Sequence, residues 1–440
     1  MADGSPLTPD RLRQLVANRD VDTVIVAFAD TRGRLQGTRV HAEHFVDHVL
    51  ARGTGAAAVL LAGDGAAADP AGGDLVLRPD PTTLRAVPWQ PATALVLCDV
   101  WRGDAPVPHA PRQVLHAQVR RVAEPGYVAL AASGLQFTVF DETDEQARAA
   151  GYRGLTRAGR SGDDASLLGS GRVEPLLHDL WTAMGGAGAV VESVRGGGGG
   201  RHELVLRHDG VLAAADQHTL LRAAAPQIAA GHGRSLTFMA RYDEGEGNAC
   251  HLRLSLRGAD GAPVLAAGAS GRSRLFEQVL AGILGTMREF TLLYAPTVNS
   301  YKRYVPGGTA PTVVAWGDDN RTCAVRVVGT GARLRLENRV PGADVNPYLA
   351  LAAMLAGALH GIATDLRLER ASAGDAHQAE RTRLPRSLGE AREEFASSQI
   401  ARQAFGDAVV DHYVGAAGTE LAAFAGAVTD WERRRAFERL

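Results

Sequence analysis

Hydrophobic and polar residues alternate along several short stretches of the chain, a pattern typical of half-buried β-strands. Near the N-terminus the alternating stretches are VDTVIVAFAD (21–30), RLQGTRV (34–40) and ATALVLCDVW (92–101). The turn signal DTRG separates the first two. Residues 8–18 have the spacing of a short helix. The first 105 residues are therefore predicted to form a small unit of mixed helix and strand.

The rest of the chain is richer in strands and carries longer helices. Alternation predicts strands over residues 134–142, 190–194, 201–212, 235–242, 250–258, 323–329 and 333–340. Apolar residues at helical spacing predict helices over 273–294 and after Pro347, and a C-terminal helix from about 398 to 440. The predicted class is α+β, an antiparallel sheet backed by helices. A proline-rich link suggests two domains, residues 1–105 and 106–440.

Composition adds little to this picture. The 440 residues are 45% hydrophobic and 22% charged, and the formal net charge of −2 does not favour nucleic acid or a membrane surface as a partner. Cys98, Cys250 and Cys323 are far apart, so neither a disulfide framework nor a zinc ribbon is indicated. With no signal pattern and no long apolar run, we expect a cytoplasmic protein.

One predicted strand carries polar side chains on a single face. In CHLRLSLRG, a period of two places His251, Arg253 and Ser255 together, with leucines on the other face. This face is either a solvated sheet surface or one wall of a site. The five glycines at 196–200 could cradle phosphate, but they lack the GK[ST] ending of a P-loop, so a flexible loop is the preferred interpretation.

Arginine is concentrated between residues 303 and 339. Arg335, Glu337 and Arg339 alternate along one predicted strand, so they form either a salt-bridge ladder or part of a cavity wall. The planar fork of arginine suits carboxylate and phosphate, and this segment contains Arg303, Arg321, Arg326, Arg335 and Arg339. The alternative is a set of separate surface arginines in an arginine-rich chain.

The order of these segments resembles the glutamine synthetase family. The matching blocks run through most of the chain: RPDPTTLRAVPW (78–89), NSYKRYVPG (299–307), NR-x(4)-R (320–326), RLEN (335–338) and NPYLALAAMLAGALHGI (346–362). The resemblance implies a β-grasp N-terminal domain and a larger catalytic domain. It also implies ATP, two or three Mg²⁺ or Mn²⁺ ions, and self-association in a ring in which one subunit closes its neighbour's site.

The resemblance assigns roles to individual positions. It makes Asp30 and Arg321 catalytic, although Asp30 could equally be a turn-capping aspartate. Substrate-binding residues would be Arg303, Arg339, Glu246 and His251. Nucleotide and phosphate would be bound by Arg321, Arg326, Arg335 and Ser255. The metal ligands would be Glu203, His251 and Glu337, an incomplete set that could also be a residual salt bridge.

Several family positions carry other residues here. Three of the family's six metal-ligand glutamate and histidine positions are occupied by Gly134, Gln136 and Arg195. Arg253 replaces a histidine, Thr309 replaces a glutamate of the mobile flap, and Glu246 replaces an asparagine. Mg²⁺ needs several oxygen ligands, so metal binding should be weak. We hypothesise that Arg195 and Arg253 occupy the space of the missing metal and keep the cavity positive.

The same replacements remove negative charge that the family uses to hold ammonium. The sequence therefore favours an ATP-dependent carboxylate–amine ligase of the γ-glutamyl type, acting on a small anionic substrate with an altered acceptor and reduced metal dependence. Ordinary glutamine synthesis would be weak or absent. Two alternatives stay open: an inactive anion-binding scaffold or sensor, and a metal-independent transfer reaction on the same fold.

Overall fold

The computed structural model describes residues 7–62, 74–159, 171–245, 247–268, 271–305 and 307–439. Its N-terminal part contains helices α1 (Pro9–Ala17), α2 (Ala42–His44), α3 (Leu50–Arg52) and α4 (Val59–Ala62). A π-helical turn, Phe45–Val49, joins α2 to α3, and a 3₁₀ turn spans Pro81–Thr83. The strands are β1 (Thr23–Ala29), β2 (Leu35–His41), β3 (Thr54–Ala56), β4 (Leu75–Pro79), β5 (Arg85–Ala86), β6 (Thr93–Arg102) and β7 (Ala105–Pro106).

These seven described strands form one sheet in the order β2-β1-β6-β4-β3, with β5 and β7 also paired to β6. The β1–β6 pair is parallel and the other pairs are antiparallel. Buried residues between Leu12 and Ala110 form a hydrophobic core of their own beneath this sheet. The domain boundary at residue 105 stays a prediction.

A second, larger sheet lies in the rest of the chain. Its described strands are β8 (Tyr127–Phe140), β9 (Val191–Gly197), β10 (Arg201–Leu206), β11 (Asp209–Gly210), β12 (Ser235–Thr237), β13 (Cys250–Gly258), β16 (Trp316–Asp318), β17 (Val325–Val328) and β18 (Arg335–Asn338). The order is β16-β17-β18-β13-β8-β10-β9, with β11 and β12 on β8. The short strands β14 (Ala266–Ala267) and β15 (Gly271–Arg272) pair separately.

Helices back this sheet. They are α5 (Pro111–Ala123), α6 (Asp144–Ala149), α7 (Glu174–Gly186), α8 (Val211–Gly231), α9 (Arg274–Met287), α10 (Thr291–Tyr294), α11 (Pro347–Ala363), α12 (Leu388–Ser397), α13 (Gln399–Phe405), α14 (Asp407–Ala425) and α15 (Asp430–Ala436). Three 3₁₀ turns span Ser300–Arg303, Gly331–Arg333 and Ala376–Gln378. The predicted α+β class is confirmed. In the described part of the chain, no helix combines the length and apolar character needed to cross a membrane.

The structure corrects several predicted elements. The strand predicted over 201–212 ends at Leu206, and α8 begins at Val211 because the alanine-rich sequence that follows favours a helix. Helices α7 and α8 were not predicted. The strand predicted over 235–242 stops at Thr237. The carbonyls of Thr237 and Met239 accept hydrogen bonds from the Asn248 side chain instead of a neighbouring strand.

Glycine accounts for two further differences. The predicted C-terminal helix is broken between α13 and α14 at Gly406, whose φ of +82° leaves the helical region. The five glycines at 196–200 end β9 and form a tight hairpin turn into β10, with Gly199 and Gly200 at φ of +66° and +74°. The run is therefore a turn between paired strands and not a separate phosphate cradle.

Helix α8 carries a fully buried histidine. His218 is 0% exposed, and neither ring nitrogen has a hydrogen-bond partner within the part of the chain that the structure describes. Burial lowers the pKa of His218 to about 3, and the charge of Arg222 contributes in the same direction. The ring is therefore neutral in the folded protein at pH values where an exposed histidine takes up a proton.

Acidification is expected to destabilise the protein through His218. Its folded pKa lies below its unfolded pKa, so this contribution to stability is complete above about pH 6.5 and declines as the pH falls, because only the unfolded state gains the proton. At about pH 4.5 the loss is on the order of 2–3 kcal/mol. Urea unfolding of the wild type and His218→Leu at pH 7.5 and 4.5 checks this. Equal losses in the two proteins would contradict it.

Candidate functional site

Strand register brings the predicted site residues to one face of the larger sheet. Residues directly opposite each other in paired strands share a face. The opposed pairs are Arg195–Glu203, Glu203–Gln136, His251–Gly134, Arg253–Glu337 and Arg326–Glu337. Six neighbouring strands, from β9 to β17 in the order of the sheet, thus place eight predicted positions side by side, although up to about two hundred residues of sequence separate them.

Glu337 lies at the centre of an arginine cluster. Its Oε1 accepts hydrogen bonds from Arg326 at 3.2 Å and Arg339 at 2.9 Å, and its Oε2 accepts one from Nε of Arg253 at 3.2 Å. The Glu337 side chain is only 3% exposed. Burial alone would raise its pKa, but the charges of His251 and these arginines lower the pKa of Glu337 to about 2. The carboxylate is ionised, and both of its oxygens are engaged.

The other two predicted ligands pair with each other. Nδ1 of His251 donates to Oε1 of Glu203 at 2.9 Å. The pKa of Glu203 is lowered: burial opposes this, but His251, Arg195 and Arg253 outweigh it. Burial lowers the pKa of His251, against the opposing effect of its hydrogen bond to Glu203. A Cβ atom at Gly134 would lie 2.5 Å from Oε1 of Glu203. The missing side chain at Gly134 thus makes room for the carboxylate of Glu203.

This arrangement does not fit a family-type pair of divalent ions. Among the described residues, no group of three or more His, Cys, Asp or Glu side chains is placed to hold a metal ion. Glu203 is bonded to His251, and Glu337 is bonded to three guanidiniums. At the replaced position Gln136, the side-chain oxygen accepts the backbone N–H of Ala249 at 2.8 Å, so it is also engaged. Glu203, His251 and Glu337 stay a predicted, incomplete ligand set.

The predicted arginines divide into two groups. Arg326 and Arg339 contact Glu337, whereas Arg335 donates to the carbonyl of Arg333 at 3.3 Å. The pKa of Arg335 is lowered, first by burial and then by the charge of Arg253. Arg303 is buried and donates to the carbonyl of Val340 at 3.0 Å, beside Arg339.

Arg321 is exposed, and its carbonyl accepts Nε of Arg339 at 3.0 Å. Arg195 is also mostly exposed, although its charge reaches Glu203. Arg253 thus contacts Glu337, one of the predicted metal ligands, directly. Arg195 acts on Glu203 through its charge.

A cavity of about 220 Å³ opens beside this cluster. Predicted residues Arg253, Ser255 and Arg335 line it, together with Arg257 and Arg333, which the sequence analysis did not single out. The signal for both was present: Arg257 continues the alternation of His251, Arg253 and Ser255, and Arg333 precedes Arg335 by two positions. Arg257 donates to the carbonyl of Ala332 at 2.7 Å.

The remaining predicted residues lie apart from the cluster or outside the described residues. Asp30 is 0% exposed and accepts the backbone N–H groups of Arg32 and Arg34, both at 2.9 Å, and Nε of Arg34 at 2.8 Å. Within one chain it acts as a turn cap. Thr309 is exposed on the loop after Arg303. Glu246 lies outside the described residues.

Comparisons with known proteins bear on this geometry. The family model of the glutamine synthetase catalytic domain matches residues 108–436. Gamma-glutamylethanolamide synthetase GlnA4 of Streptomyces coelicolor is 49% identical over 99% of this chain and 96% of its own length. Glutamate–isopropylamine ligase of a Pseudomonas species is 32% identical over 97% of both chains.

The solved structures give the same result for the fold. The structure of a GmaS/ADP complex superimposes with a TM-score of 0.88 at 26% identity, covering 97% of this chain and 99% of that one. The apo GmaS structure matches with a TM-score of 0.87. The predicted family resemblance and α+β fold are confirmed, and the protein is an enzyme of the carbon–nitrogen ligase class. This chain belongs to the glutamine synthetase family.

Proposed function

We propose that this protein is an ATP-dependent γ-glutamyl ligase that joins a glutamate-like carboxylate to a small primary amine other than ammonia, with a reduced need for divalent metal. One observation carries the proposal. On one face of the larger sheet, this chain keeps the arginines of the family pattern but has other residues at several of its glutamate positions. Arg326 and Arg339 remain around Glu337, whereas Arg195 stands opposite Glu203 where the family has a glutamate. Named relatives that ligate ethanolamine and isopropylamine support it.

The loss of acids affects ammonia more than an organic amine. An ammonium ion offers a protein only charge and N–H donors, so its binding depends on clustered carboxylates. An organic amine also offers apolar or hydroxyl contacts, and can be held without that cluster. Here Arg195 adds positive charge beside Glu203, and Thr309 carries no charge at the flap position. Ammonium binding is thus weakened more than the binding of an alkylamine or amino alcohol.

The reaction proceeds in two transfers if it follows the family. The carboxylate takes the γ-phosphoryl group of ATP, and the amine nitrogen then attacks the acyl phosphate, loses a proton and displaces phosphate. The chain's contribution is to bind and orient: Arg303 and Arg339 lie next to each other at the predicted substrate side. The cavity beside Arg253, Ser255 and Arg335 lies at the predicted phosphate side.

The alternative of an inactive anion-binding protein would require that this chain has lost the ligase activity for which its relatives are named. The observation that favours it is the engagement of each surviving ligand position, with Glu203 bonded to His251 and Glu337 to arginines. The same geometry is also compatible with a metal-independent transfer reaction. We also propose self-association and a cytoplasmic location, as in the sequence analysis. The role predicted for Asp30 then requires a neighbouring copy, because in its own chain this side chain caps a turn.

Amide formation is expected with small primary amines and at most weakly with ammonia. The purified protein is incubated with glutamate, ATP, Mg²⁺ and, in turn, ethanolamine, isopropylamine, putrescine or ammonium, and ADP and γ-glutamyl amide are measured. The best amine should exceed ammonium by about tenfold or more in kcat/KM, or about 1.4 kcal/mol. Arg339→Ala should abolish turnover, whereas the exposed Arg120→Ala should not. Turnover of ammonium equal to that of the best amine would refute the altered acceptor, and no product with any amine would favour the inactive alternative.

A further inference from the structure

The cavity beside Arg253 is lined by more positive charge than its acidic residues can balance. Four arginines, Arg253, Arg257, Arg333 and Arg335, line the cavity with a single glutamate, Glu192. Glu192 is exposed at the edge, and Glu337 already shares its charge among Arg253, Arg326 and Arg339. Arg253, Arg257 and Arg335 are partly buried and Arg333 is exposed. Like charges at close range repel each other unless an anion compensates them. The cavity is therefore built for a multiply charged anion.

Arg335 shows this imbalance most clearly. It is partly buried, and its hydrogen bond within the described residues goes to the carbonyl of Arg333 and not to a carboxylate. Burial and the charges of Arg253 and Arg326 lower the pKa of Arg335, and the charges of Glu337 and Glu192 oppose this only in part. A guanidinium held in this way presents free N–H donors to a phosphate oxygen. Ser255, on the neighbouring strand β13, adds a hydroxyl group to the cavity lining.

A divalent ion would compete with guanidinium and imidazole N–H groups for most of the carboxylate oxygens of this cluster. Oε2 of Glu337 is taken by Arg253, Oε1 by Arg326 and Arg339, and Oε1 of Glu203 by His251. An ion arriving with a triphosphate would have to displace a guanidinium or lie next to several. Its two positive charges would then meet the charges already present on Arg253 and Arg335.

From this we infer that the cavity beside Arg253 takes the polyphosphate of a nucleoside triphosphate in its metal-free form, with Arg253 held on Glu337 as the built-in counter-charge. The inference rests on the proposed ligase function and states how its nucleotide is bound. Arg335 and Ser255 donate hydrogen bonds to the phosphate oxygens. Arg253 supplies the positive charge that a divalent ion supplies in metal-dependent nucleotide binding.

Calorimetric titration with ATP tests this, once with excess EDTA and once with excess Mg²⁺. We expect the dissociation constant in EDTA to equal or fall below that in Mg²⁺, and inorganic tripolyphosphate to compete in EDTA. Binding of ATP only in the presence of Mg²⁺ would overturn the inference. If amide is still formed with Mg²⁺ in that case, the ligase proposal stands. If metal-free binding is present but no amine is ligated, the ligase proposal fails and this inference stands.

Two variants separate charge from folding. Arg335→Gln removes a guanidinium that has no described carboxylate partner, so the apo protein should keep its melting temperature while ATP binding in EDTA weakens about tenfold or more. Arg253→Gln should weaken it as much, and Arg253→Lys should restore part of the loss because it keeps the charge. The control is Arg274→Gln. Arg274 is an exposed arginine on α9 that pairs with Asp365. Unchanged metal-free binding in Arg335→Gln and Arg253→Gln would overturn the inference.

Discussion

Replacing Arg112 by methionine is expected to lower the free energy of unfolding by about 3–5 kcal/mol, because it leaves the buried carboxylate of Asp216 without its guanidinium partner. Arg112 on α5 is 5% exposed and bonds Asp80 at 2.6 Å, Asp99 at 2.8 Å and Asp216 at 3.1 Å. Asp80 and Asp99 belong to the N-terminal sheet region, and Asp216 lies on α8. A single guanidinium thus joins the N-terminal part of the chain to the helices behind the larger sheet.

The electrostatics of this network support a large effect. Burial alone would lower the pKa of Arg112, but the charge and hydrogen bonds of Asp216, followed by the charge of Asp99, raise it above the ordinary arginine value. Asp216 is 3% exposed and also accepts the hydroxyl of Tyr348 at 2.7 Å. Once Arg112 is removed, the hydroxyl of Tyr348 is the hydrogen-bond donor that remains for Asp216 among the described residues, and the nearby charge of Arg85 compensates it only at a distance.

Urea unfolding of Arg112→Met measures the effect directly. The control is Arg120→Met, which removes an exposed arginine from the same helix and should change stability by less than about 0.5 kcal/mol. The double variant Arg112→Met with Asp216→Asn should lose less than the sum of the single changes, because both act on one network. A loss in Arg112→Met no larger than that in Arg120→Met would contradict the account.

Replacing Gly282 by alanine is expected to cost about 3 kcal/mol, because the added methyl group has no space between two packed helices. A Cβ atom at Gly282 on α9 would lie 2.1 Å from the carbonyl oxygen of Gly357 and 2.6 Å from the nitrogen of Gly361, both on α11. These are backbone atoms, so a side-chain rotation cannot relieve the contact. The two helices must therefore move apart.

Gly285 provides a matched control one turn further along α9. A Cβ atom there would meet only the Cδ1 atom of Leu366, at an ordinary distance of 3.7 Å. Gly285→Ala should therefore leave stability unchanged or raise it by up to about 1 kcal/mol through helix propensity. Thermal unfolding of the two variants compares the positions. Similar melting temperatures for Gly282→Ala and Gly285→Ala would show that the helix contact is not as close as described.

Much of the fold could be predicted from local pattern alone. The strand Cys250–Gly258 was placed by its alternation, and the helix Pro347–Ala363 by its apolar run and its proline start. The pattern was wrong where a residue far away in sequence decided the outcome. The side chain of Asn248 donates hydrogen bonds to the carbonyls of Thr237 and Met239, where that strand ends. The periodicity of residues 235–242 contains no information about this contact.

The candidate site divides in the same way. The sequence by itself determined the family and the alternating face of His251, Arg253 and Ser255, and the resemblance predicted the replacement of three ligand positions. Only the tertiary structure decided what the surviving acids contact. Glu203 bonds to His251 beside Gly134, which has no side chain. Glu337 bonds to Arg253 and Arg326 on two neighbouring strands and to Arg339, which directly follows its own strand. The physical reason is that such pairing depends on the register between strands, which alternation within a single strand does not specify.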